Sequence, residues 1–206
     1  MIKTLTRSDR GACAGLFAEM FRARAAVFHD RLGWNVRVRD GLEIDRCDED
    51  EDPVYLVSLD RDGTPTGSLR LLPTIGETML HNEFAKFFDT PPDVQSPTTW
   101  ECTRFCVHPR GASQGGAGAR RVSSELLIGL CDHALSRGIE QIVGLYDAHM
   151  TRVYRRIGWS PAPLALVRPD IGKLVLGIWS VTNGALAAMR TRTDDPANPG
   201  FSKQAA

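Results

Sequence analysis

The chain has 206 residues, of which 42% are hydrophobic and 24% charged, a composition typical of a globular domain. Its 25 basic and 25 acidic residues give a formal net charge of zero, which argues against a nucleic-acid-binding surface over the whole chain. No run of about 18 apolar residues is present, so we expect no membrane span, and the polar start favours a cytoplasmic protein. The five cysteines form no CxxC pair and no histidine lies at zinc spacing from them, so we expect reduced thiols and no metal site.

The first half of the sequence predicts one long helix and a β-hairpin. Apolar residues recur at helical spacing from Leu16 to Phe28, which indicates a helix over roughly 11–27. An acid-rich loop, "EIDRCDEDEDP", follows, and "VYLVSLDRDGTPTGSLRLLPT" is typical of two strands around a turn. A short helix is predicted from Met79 to Phe88, before the proline-rich loop "DTPPDVQSPT".

The second half mixes helices and strands without strict βαβ alternation. A long helix is marked by the apolar spacing from Val122 to Ala134 and stopped by Gly138. After it come a buried strand "IEQIVGLY", a helix "AHMTRVYRRIG", the strands "APLALVRP" and "GKLVLGIWSV", and a last helix near 183–191. We therefore expect an α/β (α+β) fold with a mixed, mostly antiparallel twisted sheet flanked by helices. A single domain should cover residues 1–191, and residues 192–206 should form a flexible tail.

The strand "TTWECTRFCV" carries two charged residues at an unusual spacing. Glu101 and Arg104 are three positions apart, so a regular strand would point them to opposite faces of the sheet. An acid and a base in the middle of an otherwise strand-forming segment therefore require either solvent on both faces or an irregular backbone.

A second charged residue inside an apolar strand is Arg70, within "SLRLL". A lone interior arginine needs a carboxylate partner, because burying an unpaired charge is very costly. The acidic tract 43–52 supplies candidates, and we expect an ion pair with Asp45 or Asp48. The alternative is an arginine on a sheet face that reaches solvent. The tract does not match the spacing of a calcium-binding EF-hand loop.

The glycine-rich stretch "HPRGASQGGAGARRVSSELL" joins a strand to a helix and admits two interpretations. In the first, bare backbone amides at a helix N-terminus hold a phosphate or a pantetheine amide. In the second, the stretch is a flexible connector, which is also rich in glycine. The stretch is not a P-loop, because no Lys-Ser or Lys-Thr follows the glycines. The chain also lacks the GxSxG elbow of a serine hydrolase.

Taken together, five stretches resemble the acyl-homoserine-lactone synthases, the autoinducer synthases of bacterial quorum sensing. The resemblance runs over residues of about 15–180, and the order and spacing of the stretches agree with the family. The stretches are "FRARAAVFHDRLGW" (Arg24, Phe28, Trp34), "GLEIDRCD" (Glu43, Asp45, Asp48), "GSLRLLPT" (Arg70), "MLHNEF" (Phe84) and "WECTRFCV" (Glu101, Arg104).

The resemblance implies a GNAT-like acyltransferase fold, in which a bulged central strand and the loop after it hold the donor's pantetheine arm. A β-bulge adds one residue and reverses the alternation, so it would bring Glu101 and Arg104 to one side of the sheet. The implied reaction transfers an acyl group from an acyl thioester to the α-amine of S-adenosylmethionine. Lactone closure then releases methylthioadenosine. S-adenosylmethionine is a substrate in this reaction, and no cofactor is expected.

The resemblance also implies roles for individual residues. Glu101 would be the general base, and Arg104 would orient the methionyl carboxylate. The catalytic framework would further contain Asp45, Asp48 and Arg70. Contacts with S-adenosylmethionine are implied for Arg24, Phe28, Trp34, Glu43 and Phe105.

The acyl-chain pocket is expected along the strand "IEQIVGLYD" and the helix after the glycine-rich stretch. The residues assigned to it are Phe84, Gly144, Leu145 and Leu126. Members that make 3-oxo-acyl products often have a threonine where Gly144 stands, so we expect a preference for an unsubstituted acyl group. Glycine at this position should also leave volume for a longer or branched chain.

The acyl donor is expected to be an acyl-acyl carrier protein or acyl-CoA. Three arginines lie within the glycine-rich stretch and three lie on the helix "AHMTRVYRRIG", and they offer a basic face to an acidic carrier protein or form ordinary solvated helix faces. These are Arg110, Arg120, Arg121, Arg152, Arg155 and Arg156. The rival functions are a GNAT-type N-acyltransferase that uses acyl-CoA on another amine, and a non-catalytic carrier-protein-binding module.

Overall fold

The computed structural model describes residues 1–113 and 115–194, and the chain divides into two compact units. Within the described residues, unit 1 contains Met1–Arg70 and Arg104–Gly129, whereas unit 2 contains Leu71–Thr103 and Leu130–Asp194. In the described part of the chain, every helix is too short or too polar to cross a membrane.

Unit 1 begins with a short strand and a long helical segment. β1 (Ile2–Leu5) pairs antiparallel with β4 (Val54–Leu59). α1 (Ala14–Arg24) continues directly into a π-helix, Ala25–Arg31, so the helical segment starts later and ends later than predicted. A π-helix has i→i+5 hydrogen bonds and more residues in each turn than an α-helix, and such segments are often found at functional sites.

A two-stranded hairpin lies between the helical segment and β4. β2 (Val38–Arg39) and β3 (Leu42–Glu43) pair around Asp40 and Gly41, whose φ angles of 53° and 75° are both positive. Asp-Gly is the residue pair that a two-residue type I′ turn prefers. A single turn of helix, α2 (Arg46–Glu49), follows. These elements have four residues or fewer, which is too short to leave a periodic pattern in the sequence.

The rest of unit 1 comes from two long strands that contribute to both units, β5 (Pro65–Pro73) and β6 (Thr99–Val107). The strand order in unit 1 is β1–β4–β5–β6. α3 (Pro109–Ala112) and the first part of α4 (Gly115–Ser136) follow β6. A buried apolar cluster joins α1 to the sheet and contains Leu5, Phe17, Met20, Phe21, Tyr55, Val57 and Leu59.

In unit 2 the strand order is β5–β6–β7–β9–β8, with β7 (Gln141–Asp147), β8 (Ala162–Leu166) and β9 (Leu174–Ser180). β7 runs parallel to β6 and antiparallel to β9. α5 (Thr151–Ile157) ends at Gly158, whose φ of 104° is left-handed, and α6 spans Asn183–Asp194. The predicted mixed, mostly antiparallel sheet flanked by helices is confirmed. α6 extends three residues past its predicted end, and the remainder of the predicted tail, 195–206, lies outside the described residues.

The predicted helix from Met79 to Phe88 is wrong. Only a short 3-10 helix, Ala85–Phe87, forms there. Leu80, Phe84 and Phe88 are spaced four apart like residues on one helix face, but they instead belong to one apolar cluster around Val143. Tertiary packing has therefore overridden the local pattern.

β6 is interrupted where the sequence places its two charged residues. Thr99, Glu101 and Thr103 are buried in regular alternation, and the next buried residue is Cys106, so the alternation changes phase. Arg104 lies at this change and has a φ of 52°, a left-handed conformation that is rare for a residue with a side chain. The predicted irregularity between Trp100 and Phe105 is confirmed.

Candidate active site

Three arginines and three carboxylates of unit 1 form a closed ring of alternating charges. Each arginine contacts two of the carboxylates and each carboxylate contacts two of the arginines, with N–O distances from 2.5 to 3.0 Å. At most 16% of any of these side chains is exposed. In order around this charge ring, the residues are Arg24, Glu43, Arg104, Asp45, Arg70 and Asp48. The predicted partner of Arg70 is thus confirmed twice, because Arg70 pairs with both aspartates.

Local backbone structure selects which acids of the tract 43–52 enter the charge ring. The Asp40–Gly41 turn ends one residue before β3, whose last residue is Glu43. Asp45 caps α2 by accepting the backbone N–H of Asp48, and the Asp48 carboxylate in turn accepts the N–H of Asp45 at 3.0 Å. This reciprocal capping box fixes both aspartate side chains.

Within the charge ring, opposite charges oppose the effect of burial at Asp48, Arg24 and Arg70. Burial alone would raise the pKa of Asp48, but the Arg24 and Arg70 guanidinium groups outweigh it and hold that pKa well below its usual range. Burial likewise opposes the charge on Arg24 and Arg70, and their carboxylate partners raise both pKa values. Three positive and three negative charges compensate each other, which is the condition under which buried charges are tolerated.

Two further residues support Asp48, and neither was expected from the sequence. The Tyr55 hydroxyl donates to Asp48 Oδ1 at 2.7 Å, and burial together with the Asp48 charge raises the pKa of Tyr55. Arg10 donates to the backbone carbonyl of Asp48, and its guanidinium lies 5.7 Å from the centroid of the Phe17 phenyl group. The position of Tyr55 within the apolar strand "VYLV" only weakly indicates that its hydroxyl has a buried partner. No feature of the sequence predicts the contact of Arg10.

An aromatic pair adjoins the charge ring. The Phe28 and Trp34 side chains stack with centroids 5.1 Å apart and an interplanar angle of 25°. The Arg104 guanidinium lies 5.5 Å from the centroid of Phe28. Phe28 is buried, whereas 48% of Trp34 is exposed, so the indole presents an open aromatic surface. Phe105, which the resemblance adds to this group, is half-buried on β6.

In unit 2, Glu101 is a buried carboxylate on β6, with 1% of the residue exposed. Its Oε2 accepts the backbone N–H of Met79 at 2.9 Å. The parallel pairing of β6 with β7 ends at Glu101 and Val143, although both strands continue beyond that point. Glu101 is therefore the last residue of β6 in this parallel ladder.

The residues assigned to the acyl-chain pocket belong partly to unit 2 and partly to unit 1. Phe84 and Leu145 belong to the same apolar cluster of unit 2, around Val143 and Leu176. Gly144 is adjacent to Leu145 in a strand, so it points to the opposite face of β7. Leu126 is buried on α4 in unit 1.

The expectation of free volume at Gly144 is wrong. A Cβ atom added to Gly144 would lie 3.1 Å from the carbonyl oxygen of Cys102 and 3.5 Å from the Trp179 indole. The space is therefore taken by an aromatic side chain that lies 35 residues further along the chain, and no local pattern signals its presence.

The glycine-rich stretch is mostly helical. α3 covers Pro109–Ala112, and α4 begins at Gly115, so several of the glycines lie in the first turns of a long helix. The long helix therefore begins at Gly115, before the apolar spacing that marks it from Val122. Among the described residues, no group of three or more His, Cys, Asp or Glu side chains is placed to hold a metal ion.

Comparisons with known proteins agree with this arrangement. A family model described as autoinducer synthase matches residues 12–170. An acyl-homoserine-lactone synthase of Rhizobium etli is 62% identical over 182 residues, which cover 88% of this chain and 83% of that protein. The chain belongs to the acyl-homoserine-lactone synthase family. This synthase is therefore an acyltransferase.

Solved structures of similar proteins support the same fold. The acyl-homoserine-lactone synthase LasI is 26% identical, with a TM-score of 0.78 over 93% of this chain and 94% of LasI. BjaI, a CoA-dependent acyl-homoserine-lactone synthase solved with S-adenosylmethionine and isopentyl-CoA, is 23% identical, with a TM-score of 0.80 over 95% of this chain and 90% of BjaI. The predicted GNAT-like acyltransferase fold is confirmed.

Proposed function

We propose that the synthase transfers the acyl group of an acyl thioester to the α-amine of S-adenosylmethionine and then closes the lactone, releasing methylthioadenosine. The observation that carries this proposal is the charge ring. It incorporates four charged residues of the segment 24–48, namely Arg24, Glu43, Asp45 and Asp48, together with Arg70 and Arg104. A plain N-acyltransferase has no evident need for this segment, and a non-catalytic binding module has no need for a buried Glu101.

S-adenosylmethionine is proposed to bind at the aromatic pair of unit 1. The exposed indole of Trp34 offers a face to the adenine or to the sulfonium, and a cation over an indole face is stabilised by about 0.5–2 kcal/mol. The charge ring holds the aromatic pair in place, because the Arg104 guanidinium packs on the Phe28 ring. In this proposal Arg24 and Glu43 order the segment that carries Phe28 and Trp34, rather than contacting the reacting atoms. Phe105 extends the apolar surface.

Acyl transfer requires a neutral amine. Glu101 is proposed to take the proton of the α-ammonium, directly or through one water molecule, so that the nitrogen lone pair attacks the thioester carbonyl carbon. The carbon–sulfur bond then breaks, and the carrier thiol leaves with a proton. The Met79 N–H bond fixes one carboxylate oxygen of Glu101 and so limits the orientations of the base. Backbone amides near the interruption of β6 are proposed to stabilise the tetrahedral oxyanion.

Lactone closure requires chiefly orientation. A methionyl carboxylate oxygen attacks the γ-carbon, the bond from that carbon to sulfur breaks, and neutral methylthioadenosine leaves. Arg104 is proposed to hold the carboxylate in line with this bond. Its guanidinium is itself held by Glu43 and Asp45, which favours a fixed position. No cofactor enters either step.

An acyl carrier protein is proposed as the donor's carrier, with α5 as its docking surface. Arg152, Arg155 and Arg156 are exposed on this helix, and among the described residues none of the three forms an ion pair. Arg110, by contrast, forms ion pairs with Asp60 and Asp62, which weakens its attraction for an acidic carrier protein. Acyl-CoA is the alternative donor, as BjaI illustrates.

The acyl group is proposed to be unsubstituted at its third carbon. Gly144 offers no hydroxyl to a 3-oxo oxygen, and an unpaired buried carbonyl costs about 1–3 kcal/mol. A panel of matched thioesters checks this preference, and a 3-oxo donor with the highest kcat/KM would contradict it.

The decisive experiment is release of methylthioadenosine from S-adenosylmethionine in the presence of an acyl thioester. Acyl carrier protein and CoA forms of the same acyl group are compared, each with and without the synthase. Release that depends on synthase and thioester is expected. Acylation of an unrelated amine without methylthioadenosine would support the plain N-acyltransferase, and carrier binding without any turnover would support the binding module.

A further inference from the structure

Solvent reaches the charge ring at one edge. Of its six side chains, Asp45 is 16% exposed and Arg104 is 7% exposed, whereas the other four are exposed by 1% or less. This edge adjoins the aromatic pair, because the Arg104 guanidinium lies 5.5 Å from the centroid of the Phe28 ring. A ligand that enters beside the exposed Trp34 indole therefore meets Arg104 and Asp45 before any other member of the charge ring.

The Arg104 guanidinium has a side edge that Glu43 holds and an end that Asp45 contacts. Its Nε and Nη2 donate to Glu43 Oε1 at 3.1 and 3.0 Å. Nη2 carries a second hydrogen, and it also lies 2.8 Å from Asp45 Oδ2. A carboxylate that binds the end of a guanidinium as a fork takes one hydrogen from Nη1 and one from Nη2. Because Glu43 takes the side edge, Asp45 stands where a ligand carboxylate on that end would place an oxygen.

Asp45 can release Arg104 and still be compensated. Both of its oxygens accept hydrogen bonds from Arg70, Oδ1 from Nη1 and Oδ2 from Nη2. Its Oδ1 also accepts the backbone N–H of Asp48 at 3.2 Å, as the cap of α2. The contact with Arg104 therefore goes to an oxygen that already has a partner. Glu43, by contrast, is fully buried, and it keeps Arg104 in position when Asp45 withdraws.

We propose that Asp45 is a positioning residue that occupies the carboxylate-binding end of Arg104 in the free synthase and yields it when S-adenosylmethionine binds. This inference rests on the proposed function, in which Arg104 holds the methionyl carboxylate, and it adds an autoinhibitory contact to that site. The exchange replaces one carboxylate with another, so the buried guanidinium keeps its counter-charge throughout. The contact lowers the apparent affinity for the substrate, because part of the binding free energy is used to displace Asp45.

Asp45→Asn tests the exchange through ligand affinity. Asparagine keeps the shape of the side chain and caps a helix well, but it lacks the charge that attracts Arg104. S-adenosylhomocysteine carries the amino-acid carboxylate, whereas methylthioadenosine has the same adenosine and no amino-acid group. Isothermal titration calorimetry measures both Kd values. The ratio of Kd for methylthioadenosine to Kd for S-adenosylhomocysteine should rise roughly 10-fold in the variant. Loss of a negative charge does not favour the ligand's ammonium group, so tighter binding reports the carboxylate.

Asp48→Asn is the matched control. Asp48 belongs to the same capping box and also pairs with Arg70, but its second arginine partner is Arg24. Its replacement should weaken the binding of both ligands alike, because it removes support from the charge ring without uncovering the end of Arg104. An unchanged or lower ratio in Asp45→Asn, or an equal rise in Asp48→Asn, would overturn the proposal.

The parent synthase provides a second test that does not depend on the folding of a variant. In a crystal structure with S-adenosylhomocysteine, the ligand carboxylate should lie on Arg104, and Asp45 Oδ2 should be more than about 4 Å from Arg104 Nη2. A bound ligand beside an intact pair of Arg104 and Asp45 contradicts the exchange, whatever the variants do.

These outcomes separate the exchange from the proposed function. Failure of the parent synthase to release methylthioadenosine with any thioester contradicts the proposed function itself. Normal turnover by the parent, with an intact pair in the complex or an unchanged affinity ratio in Asp45→Asn, contradicts only the role of Asp45.

Discussion

Asp48→Asn removes one negative charge from the charge ring while keeping the shape of the side chain. The Asp48 carboxylate accepts hydrogen bonds from Arg24 at 2.9 and 3.1 Å, from Tyr55 at 2.7 Å and from the Asp45 backbone at 3.0 Å, and it pairs with Arg70 at 2.9 Å. An amide leaves one oxygen to accept these donors and turns an NH₂ group toward the others. Arg24 and Arg70 then share an uncompensated positive charge in a buried site.

Breaking a buried ion pair by removing one partner costs about 3–5 kcal/mol. For a chain of this size each kcal/mol lowers Tm by about 2–4 °C, so we expect Asp48→Asn to melt roughly 6–20 °C below the parent. Thermal unfolding followed by circular dichroism measures the shift. Turnover should fall as well, because the segment that carries Phe28 and Trp34 loses its support.

Asp62→Asn is the matched control, since Asp62 also pairs with an arginine, Arg110, at 2.9 Å, but 77% of its side chain is exposed. Solvent screens this pair, and its loss should shift Tm by a few degrees at most. If Asp48→Asn melts like Asp62→Asn and keeps full activity, the charge ring contributes neither stability nor order, and the reasoning fails.

Three further outcomes are expected. Glu101→Gln should keep the fold and slow acyl transfer by about 10²–10⁴-fold in single-turnover assays, whereas the same change at exposed Glu77 should have no effect; an unchanged rate would assign the base elsewhere. Burial lowers the pKa of His108 from 6.5 to about 4. Between these pH values the unfolded chain binds a proton that the folded chain excludes, so the free energy of unfolding should fall by about 3 kcal/mol as the pH drops from 6.5 to 4. Urea unfolding at several pH values measures this slope, which His108→Gln should remove. Replacing Arg155 and Arg156 with Ala should weaken acyl-carrier-protein binding and its salt dependence without changing the use of acyl-CoA; equal effects on both donors would exclude α5 as the docking surface.

The sequence predicts pairings that electrostatics makes obligatory, and it leaves open those that depend on backbone geometry. Arg70 stands alone in an apolar strand, so a carboxylate partner was required, and the acidic tract was the nearest source. Which acids are used depends on the Asp40–Gly41 turn and on the capping box of α2, both of which are three-dimensional features. The offset of Glu101 and Arg104 predicts an irregular strand for a similar reason, because regular alternation could not serve both residues.

Predictions fail where distant packing decides the outcome. The spacing of Leu80, Phe84 and Phe88 suits a helix, but their burial against Val143 and Leu176 stabilises a loop instead. Gly144 suggests an open pocket, yet the indole that fills it comes from β9. Hydrophobic periodicity and secondary-structure propensity depend on residues that are close in the sequence. Neither predicts which side chain packs at a site from another strand.

The charge ring has a consequence for the order of folding. Its contacts join residues 19 to 61 positions apart, and Arg104 is the member most distant from its partners along the chain. Before β6 docks, three carboxylates face only two arginines, so an intermediate that lacks Arg104 carries an unbalanced negative charge and stays hydrated. The charge ring can therefore lose its hydration water only when Arg104 docks, which places this step late in folding. We expect substitutions at Arg104 to accelerate unfolding while leaving the refolding rate nearly unchanged, which stopped-flow measurements in urea would reveal.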